Sequence, residues 1–128
     1  LQEVMELCKI DESLIPCIDF GHLNARDLGI LKSKEDFEGV LNQIENDLGK
    51  DRLKAFHSHF SKIEYTAGGE KRHLTFEDTV YGPDFEPLME LVYKKGLNPT
   101  FICESAGTQT EDAKQMKDYY LSLAKGGI

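Results

Sequence analysis

The chain has 128 residues, with 15 Lys and Arg against 23 Asp and Glu, a net charge of −8, 40% hydrophobic residues and no Trp. This is the composition of an ordinary globular protein, and its short apolar runs exclude a helical membrane span, which needs roughly 20 consecutive apolar residues. The acidic balance repels phosphate, so it argues against a broad nucleic-acid grip unless a local patch or a metal offsets it.

The three cysteines, Cys8, Cys17 and Cys103, form no CxxC pair. That spacing disfavours a zinc ribbon or a disulfide framework and suits a reducing cytosol, so a cytoplasmic location is expected. No signal or transit segment is recognisable. The first residue is Leu1 rather than Met, which suggests a processed product or a fragment.

Leu1, Val4, Met5 and Cys8 recur at helical spacing, so residues 1–9 are expected to form the end of an amphipathic helix. Leu14-Ile15-Pro16-Cys17-Ile18 reads as a short buried strand, weakened by Pro16, which cannot donate to a ladder. Residues 20–32, with Gly21 and Gly29, read as a loop. Ser33 with Asp36 is a capping-box-like helix start. Phe37, Val40, Leu41, Ile44 and Leu48 form the apolar face of that helix, and Gly49 suits its C-terminal stop. Arg52 to Phe60 reads as a second strand, diluted by Lys54 and two His. Residues 61–83, with Gly68-Gly69 and Gly82-Pro83, show no regular element, and a loop of that length is usually functional or disordered. A third helix is expected over about 84–95, stopped by Gly96, and a third strand from Asn98 to Glu104. Thr108 with Glu111 repeats the capping pattern. Ala113, Met116, Tyr120 and Leu123 give the last helix its buried face, and Gly126-Gly127 ends it.

The order is α-β-α-β-α-β-α with no hairpin signal, which predicts right-handed crossovers and a parallel sheet in one segment, 1–128. Three strands leave edges unpaired, so the architecture reads as part of something larger.

Each predicted strand ends in a polar, metal-capable group: Asp19 and His22, then His57 and His59, then Glu104. In parallel α/β sheets sites are built at these C-terminal ends. Side chains alternate faces along a strand. Asp19 therefore shares a face with Ile15 and Cys17, His57 with His59 one step further out, and Glu104 with Thr100 and Ile102. Asp19, His57 and Glu104 form a mixed oxygen and nitrogen donor set suited to Zn²⁺, Mn²⁺ or Fe²⁺. Such an ion polarises a carbonyl or activates a water. Taken singly, each has a plainer reading, as a turn Asp, a core His or a backbone-bonded Glu. His73 lies in the long loop with Glu70, and Lys71-Arg72 beside it could meet an anionic substrate. There is no GxGxxG, P-loop or GxSxG.

Cys17-Ile18-Asp19-Phe20-Gly21-His22 resembles the D-x-x-H strand end of endonuclease IV and the wider xylose isomerase-like TIM-barrel superfamily. Phe56-His57-Ser58-His59 resembles that superfamily's next strand, which ends in a metal-binding His. Phe101-Ile102-Cys103-Glu104 resembles its last strand, which ends in a bridging Glu. The resemblance covers nearly the whole chain. It implies a (β/α)8 barrel, which needs roughly 250 residues, with this chain supplying about the last three βα units. By the same resemblance Asp19, His22, His57 and Glu104 are metal ligands, and Glu104 is also catalytic. Glu70 and His73 stand where the family has a D-x-H pair, one residue further apart and with Glu in place of Asp.

The implied activity is divalent-metal hydrolysis, with zinc, of a DNA phosphodiester at abasic sites. Local similarity along Ile63 to Phe85 leans that way. The sibling reading is a sugar isomerase or epimerase holding one Mn²⁺-type ion through Asp19, His57 and Glu104. A third is a non-catalytic barrel fragment. On every reading the missing barrel half or an oligomeric partner is expected to complete the structure.

Overall fold

The computed structural model of the protein describes residues 1–126. Its elements run α1 (Gln2–Cys8), β1 (Cys17–Asp19), α2 (Phe20–Arg26), α3 (Lys34–Leu48), α4 (Lys50–Lys54), β2 (His57–Phe60), β3 (Ile63–Thr66), β4 (Gly69–His73), α5 (Glu86–Lys95), β5 (Thr100–Cys103) and α6 (Gln109–Gly126). The fold is α/β around a parallel sheet of three strands in the order β1-β2-β5.

The strongest local signals act as expected. Ser33 accepts from the Asp36 N–H while the Asp36 carboxylate accepts from the Ser33 N–H, a full capping box opening α3. Phe37, Leu41, Ile44 and Leu48 form its buried stripe. Gly96 closes α5 in the left-handed region, with φ 67°, where only glycine has no steric penalty.

The expected loop over 20–32 instead contains α2. Asp19 is its N-cap, accepting from the His22 N–H at 2.9 Å. Asn24 then closes the turn that follows, its buried Oδ1 accepting from the Leu31 N–H at 2.8 Å. The expected strand from Arg52 is also corrected, because residues 50–54 form the short helix α4 and the strand begins at His57. Only Leu53 of α4 is buried. Arg52 reaches across to donate to the carbonyls of Cys8 at 2.6 Å and Leu14 at 3.1 Å, covering the C-terminal end of α1.

The structureless loop expected over 61–83 holds an antiparallel hairpin, β3 with β4, and the expectation of no hairpin is likewise overturned. A Gly-rich turn, Ala67-Gly68, joins the strands, and Gly69 follows at φ +106°. The register shifts between Glu64 and Tyr65. Glu70-Lys71-Arg72-His73 is nearly all polar, so β4 carries no alternation for a pattern reading to detect. Lys71 and Arg72 pair with Glu64 at 3.4 and 2.7 Å. They are thus paired within the hairpin.

The Thr108 hydroxyl donates to Asp112 Oδ2 at 3.0 Å, and the same oxygen accepts from the Phe76 N–H at 3.1 Å. The expected glycine stop reaches Gly127, which lies outside the described residues.

The two faces of the parallel sheet differ. Ile18, Ser58, Phe60 and Cys103 are buried beneath the helices. Phe20, Phe37, Phe56 and Phe60 centre this core, with ring centroids 5.8 to 6.4 Å from Phe20. The opposite face, bearing Cys17, His57, Thr100 and Ile102, is exposed, Ile102 at 54%. Among the described residues no helix is long and apolar enough to cross a membrane.

Candidate metal centre

Asp19 is the last residue of β1, and it lies in register with His59 of β2. His59 lies in register with Ile102 of β5, and Glu104 stands two residues beyond on the same side. Parallel register therefore gathers Asp19, His59 and Glu104 at one end of the sheet. His59 Nδ1 is 3.8 Å from Asp19 Oδ2 and 3.3 Å from Glu104 Oε1. One donor atom from each of the three lies within 4.8 Å of the others.

His57, expected in this set, is in register with Cys17 and Thr100 instead. It points to the same face but sits two residues lower, roughly 6.6 Å down the strand. The structure therefore does not bring His57 into the cluster, and His59 stands there in its place. Counting strand ends from the sequence identified the right strand and face but not the register, which depends on where β2 begins.

A second cluster sits beside the first. His22, Glu70 and His73 also offer donor atoms within 4.8 Å of one another. His22 comes from the first turn of α2, and Glu70 and His73 come from β4. His22 Nδ1 is 3.1 Å from Glu70 Oε2, and His73 Nε2 is 3.5 Å from Glu70 Oε1. The two His rings stand 5.6 Å apart. His22 Nε2 also lies 3.7 Å from Asp19 Oδ2 and so links the clusters. The result is one continuous chain of carboxylate and imidazole: Glu104, His59, Asp19, His22, Glu70, His73. A cleft of about 520 Å³ between α1, α2 and the hairpin turn opens onto Asp19, His22 and Glu70.

Burial raises the Asp19 carboxyl above the usual carboxylate range, and the Glu104 carboxylate beside it adds to the rise. The His22 N–H and imidazole oppose the rise without cancelling it. Burial, and then Asp19 and Glu104, raise the Cys17 thiol as well. The sheet end thus concentrates negative charge that a cation would relieve. Three imidazoles and three carboxylates match the donor preference of zinc or manganese rather than of an all-oxygen calcium site. The residues present fit a divalent transition ion.

Sequence reasoning missed two supporting residues. Ser61 Oγ lies 2.8 Å from His73 Nδ1. Lys62 is buried, and its ammonium bonds to the carbonyls of Phe76, at 3.2 Å, and Asp78, and pairs with Asp84 at 3.2 Å. Neither carried a signal, since each is defined by partners at least 12 residues away in the chain.

Comparison with known proteins bears on the same segment. The chain is 34% identical over 119 residues to an uncharacterised protein of Methanocaldococcus jannaschii, covering 93% of this chain and 42% of that protein. It is 30% identical over 130 residues to a probable endonuclease 4 of Oceanobacillus iheyensis, covering 99% of this chain and 42% of that protein. A probable endonuclease 4 of Staphylococcus carnosus is 37% identical over 67 residues, 52% of this chain and 22% of that protein. No family model matches the chain, and no solved structure matches it significantly. The chain spans less than half the length of the curated relatives it matches, and its similarity to endonuclease 4 proteins is that of one segment.

Proposed function

We propose that this chain, residues 1–128, is one segment of a longer endonuclease IV-like (β/α)8 barrel that hydrolyses DNA phosphodiesters at abasic sites with divalent metal, most simply zinc. The observation that carries the reading is the adjacency of two donor clusters, Asp19–His59–Glu104 and His22–Glu70–His73, bridged by the contact between Asp19 and His22. A sugar isomerase with a single manganese-type ion needs only the first cluster, so the second favours the hydrolase. The names of the two endonuclease 4 relatives support the same choice. The third reading, a non-catalytic fragment, gives neither cluster a purpose.

In this reading bound divalent ions supply positive charge that polarises the phosphoryl oxygens and offsets the acidic surroundings. Asp19, His59 and Glu104 would hold one ion, and His22, Glu70 and His73 would hold another. Glu104, at the end of the carboxylate–imidazole chain, would accept the proton of the water that attacks phosphorus, while the P–O ester bond breaks and the departing sugar oxygen takes up a proton from solvent. The DNA backbone approaches the exposed strand ends, where both clusters lie. The remaining ligands and barrel strands come from the rest of the protein or from an oligomeric partner. The separate, unpaired Cys8, Cys17 and Cys103 fit a cytoplasmic setting.

The test is metal content and nicking activity of the complete protein, purified without chelators. Zinc in both clusters with cleavage of abasic-site duplex DNA is the expected result. Glu104→Gln is expected to reduce both while leaving the circular dichroism spectrum unchanged. One manganese ion and no nicking would favour the isomerase. No metal would overturn both enzyme readings.

A further inference from the structure

His73 stands at the end of the carboxylate–imidazole chain, half-buried as the last residue of the hairpin strand β4. A ring there is free to rotate unless something holds it. In a neutral imidazole one nitrogen donates and the other accepts, so a ring that turns over presents the wrong atom to an ion.

We propose that Ser61 is the positioning residue for His73: its buried hydroxyl engages Nδ1 and so commits Nε2 to the cluster with Glu70 and His22. What that cluster binds rests on the metal reading above, whereas the positioning rests on geometry alone.

Ser61 is 1% exposed, and its Oγ lies 2.8 Å from Nδ1, while Nε2 on the far side of the ring lies 3.5 Å from Glu70 Oε1. With an ion bound at Nε2, Nδ1 carries the hydrogen and donates it to Ser61. Ligating histidines commonly give their second nitrogen to such a partner, which orients the ring and raises its basicity.

The seat itself is rigid. A Cβ on Gly21 would stand 2.6 Å from the Ser61 carbonyl oxygen, so α2 presses directly on this backbone. The next residue, Lys62, is pinned by its buried ammonium, and its carbonyl accepts from the Leu74 N–H at 2.8 Å. Ser61 also lies two residues beyond His59 on one uninterrupted stretch of chain. The same segment therefore carries a ligand of the first cluster and the support of the second, which sets their spacing.

The experiment compares Ser61→Ala and Ser61→Thr with the wild type in the complete protein. Zinc affinity at each cluster is measured by chelator competition, with His59→Ala and His22→Ala assigning the two positions. Motion of the His73 ring is measured by nuclear relaxation of labelled histidine in metal-free protein. Ser61→Ala is expected to weaken the His22–Glu70–His73 position by about 10- to 100-fold and to leave the other within about twofold. The His73 ring should become mobile in that variant, and Ser61→Thr should restore both properties. Unchanged ring motion in Ser61→Ala would overturn the proposal, as would equal losses at both positions. A wild type that binds no zinc would defeat the metal reading, while the ring motion would still decide the role of Ser61.

Discussion

Asp19 divides its two oxygens between structure and site. Oδ1 caps α2 through the His22 N–H, and Oδ2 faces His22 and His59. A carboxyl whose folded pKa is raised contributes stability that is fully present below its unfolded value and is lost as pH rises through the folded one. Ionised Asp19 therefore weighs against the metal-free fold at neutral pH. Asn caps a helix as well as Asp does. Asp19→Asn should accordingly make the chelated protein more stable at pH 7, with the gap closing as pH falls through the raised pKa. Urea midpoints across a pH series check this, and a gap that widens in acid would contradict it. The same variant should bind metal more weakly, so the site carries a stability cost for its function. At the neighbouring strand, His59→Ala should lower metal affinity by at least about the 10- to 100-fold typical of an outer-shell loss, while His57→Ala leaves it nearly unchanged. Equal effects from the two variants would restore His57 to the site.

At the scale of elements, the contact between α2 and the hairpin determines whether the second cluster forms. Gly21 is helical and needs no unusual φ; what it supplies is space. Its missing Cβ admits the Ser61 carbonyl and the Ile63 side chain, which would stand 2.6 and 2.9 Å from that carbon. Gly21→Ala gains up to about 1 kcal/mol of helix propensity but meets backbone that cannot yield. Overpacking of this kind typically costs about 1–3 kcal/mol, so a net loss of stability is expected by thermal or urea unfolding. Affinity at the His22 cluster should fall more than at the His59 cluster, because α2 and the hairpin supply all of its ligands. A neutral Gly21→Ala would mean that the hairpin packs more loosely than described.

At the scale of the whole molecule, the two faces of the sheet call for different environments. One is packed by helices, and the other exposes Cys17, His57 and Ile102. If that face is the interior of a barrel completed by the rest of the protein, Ile102→Ala should cost about 2–5 kcal/mol in the complete protein. If it is a true surface, the change should stay within about 0.5 kcal/mol. Unfolding of the complete protein distinguishes the two.

The sequence by itself determined the elements that carry their own signals. Ser33 with Asp36 opened α3, the apolar stripe of Phe37, Leu41 and Ile44 marked the buried face of α3, and Gly96 closed α5. Those signals act within one or two turns of helix, where capping and periodicity are local chemistry. The three parallel strands were legible from short apolar runs alternating with helices, and Asp19 and Glu104 stand at strand ends. Tertiary structure alone decided what depends on register and on distant partners. It placed His59 rather than His57 beside Asp19, since a parallel pairing is set by the start of β2 and not by residue type. It turned polar Glu70 to His73 into a strand whose partner supplies the pairing that its pattern lacks. It also gave Ser61 and Lys62 their roles, because a buried hydroxyl and a buried ammonium are specified by the atoms they meet, and those atoms lie far along the chain.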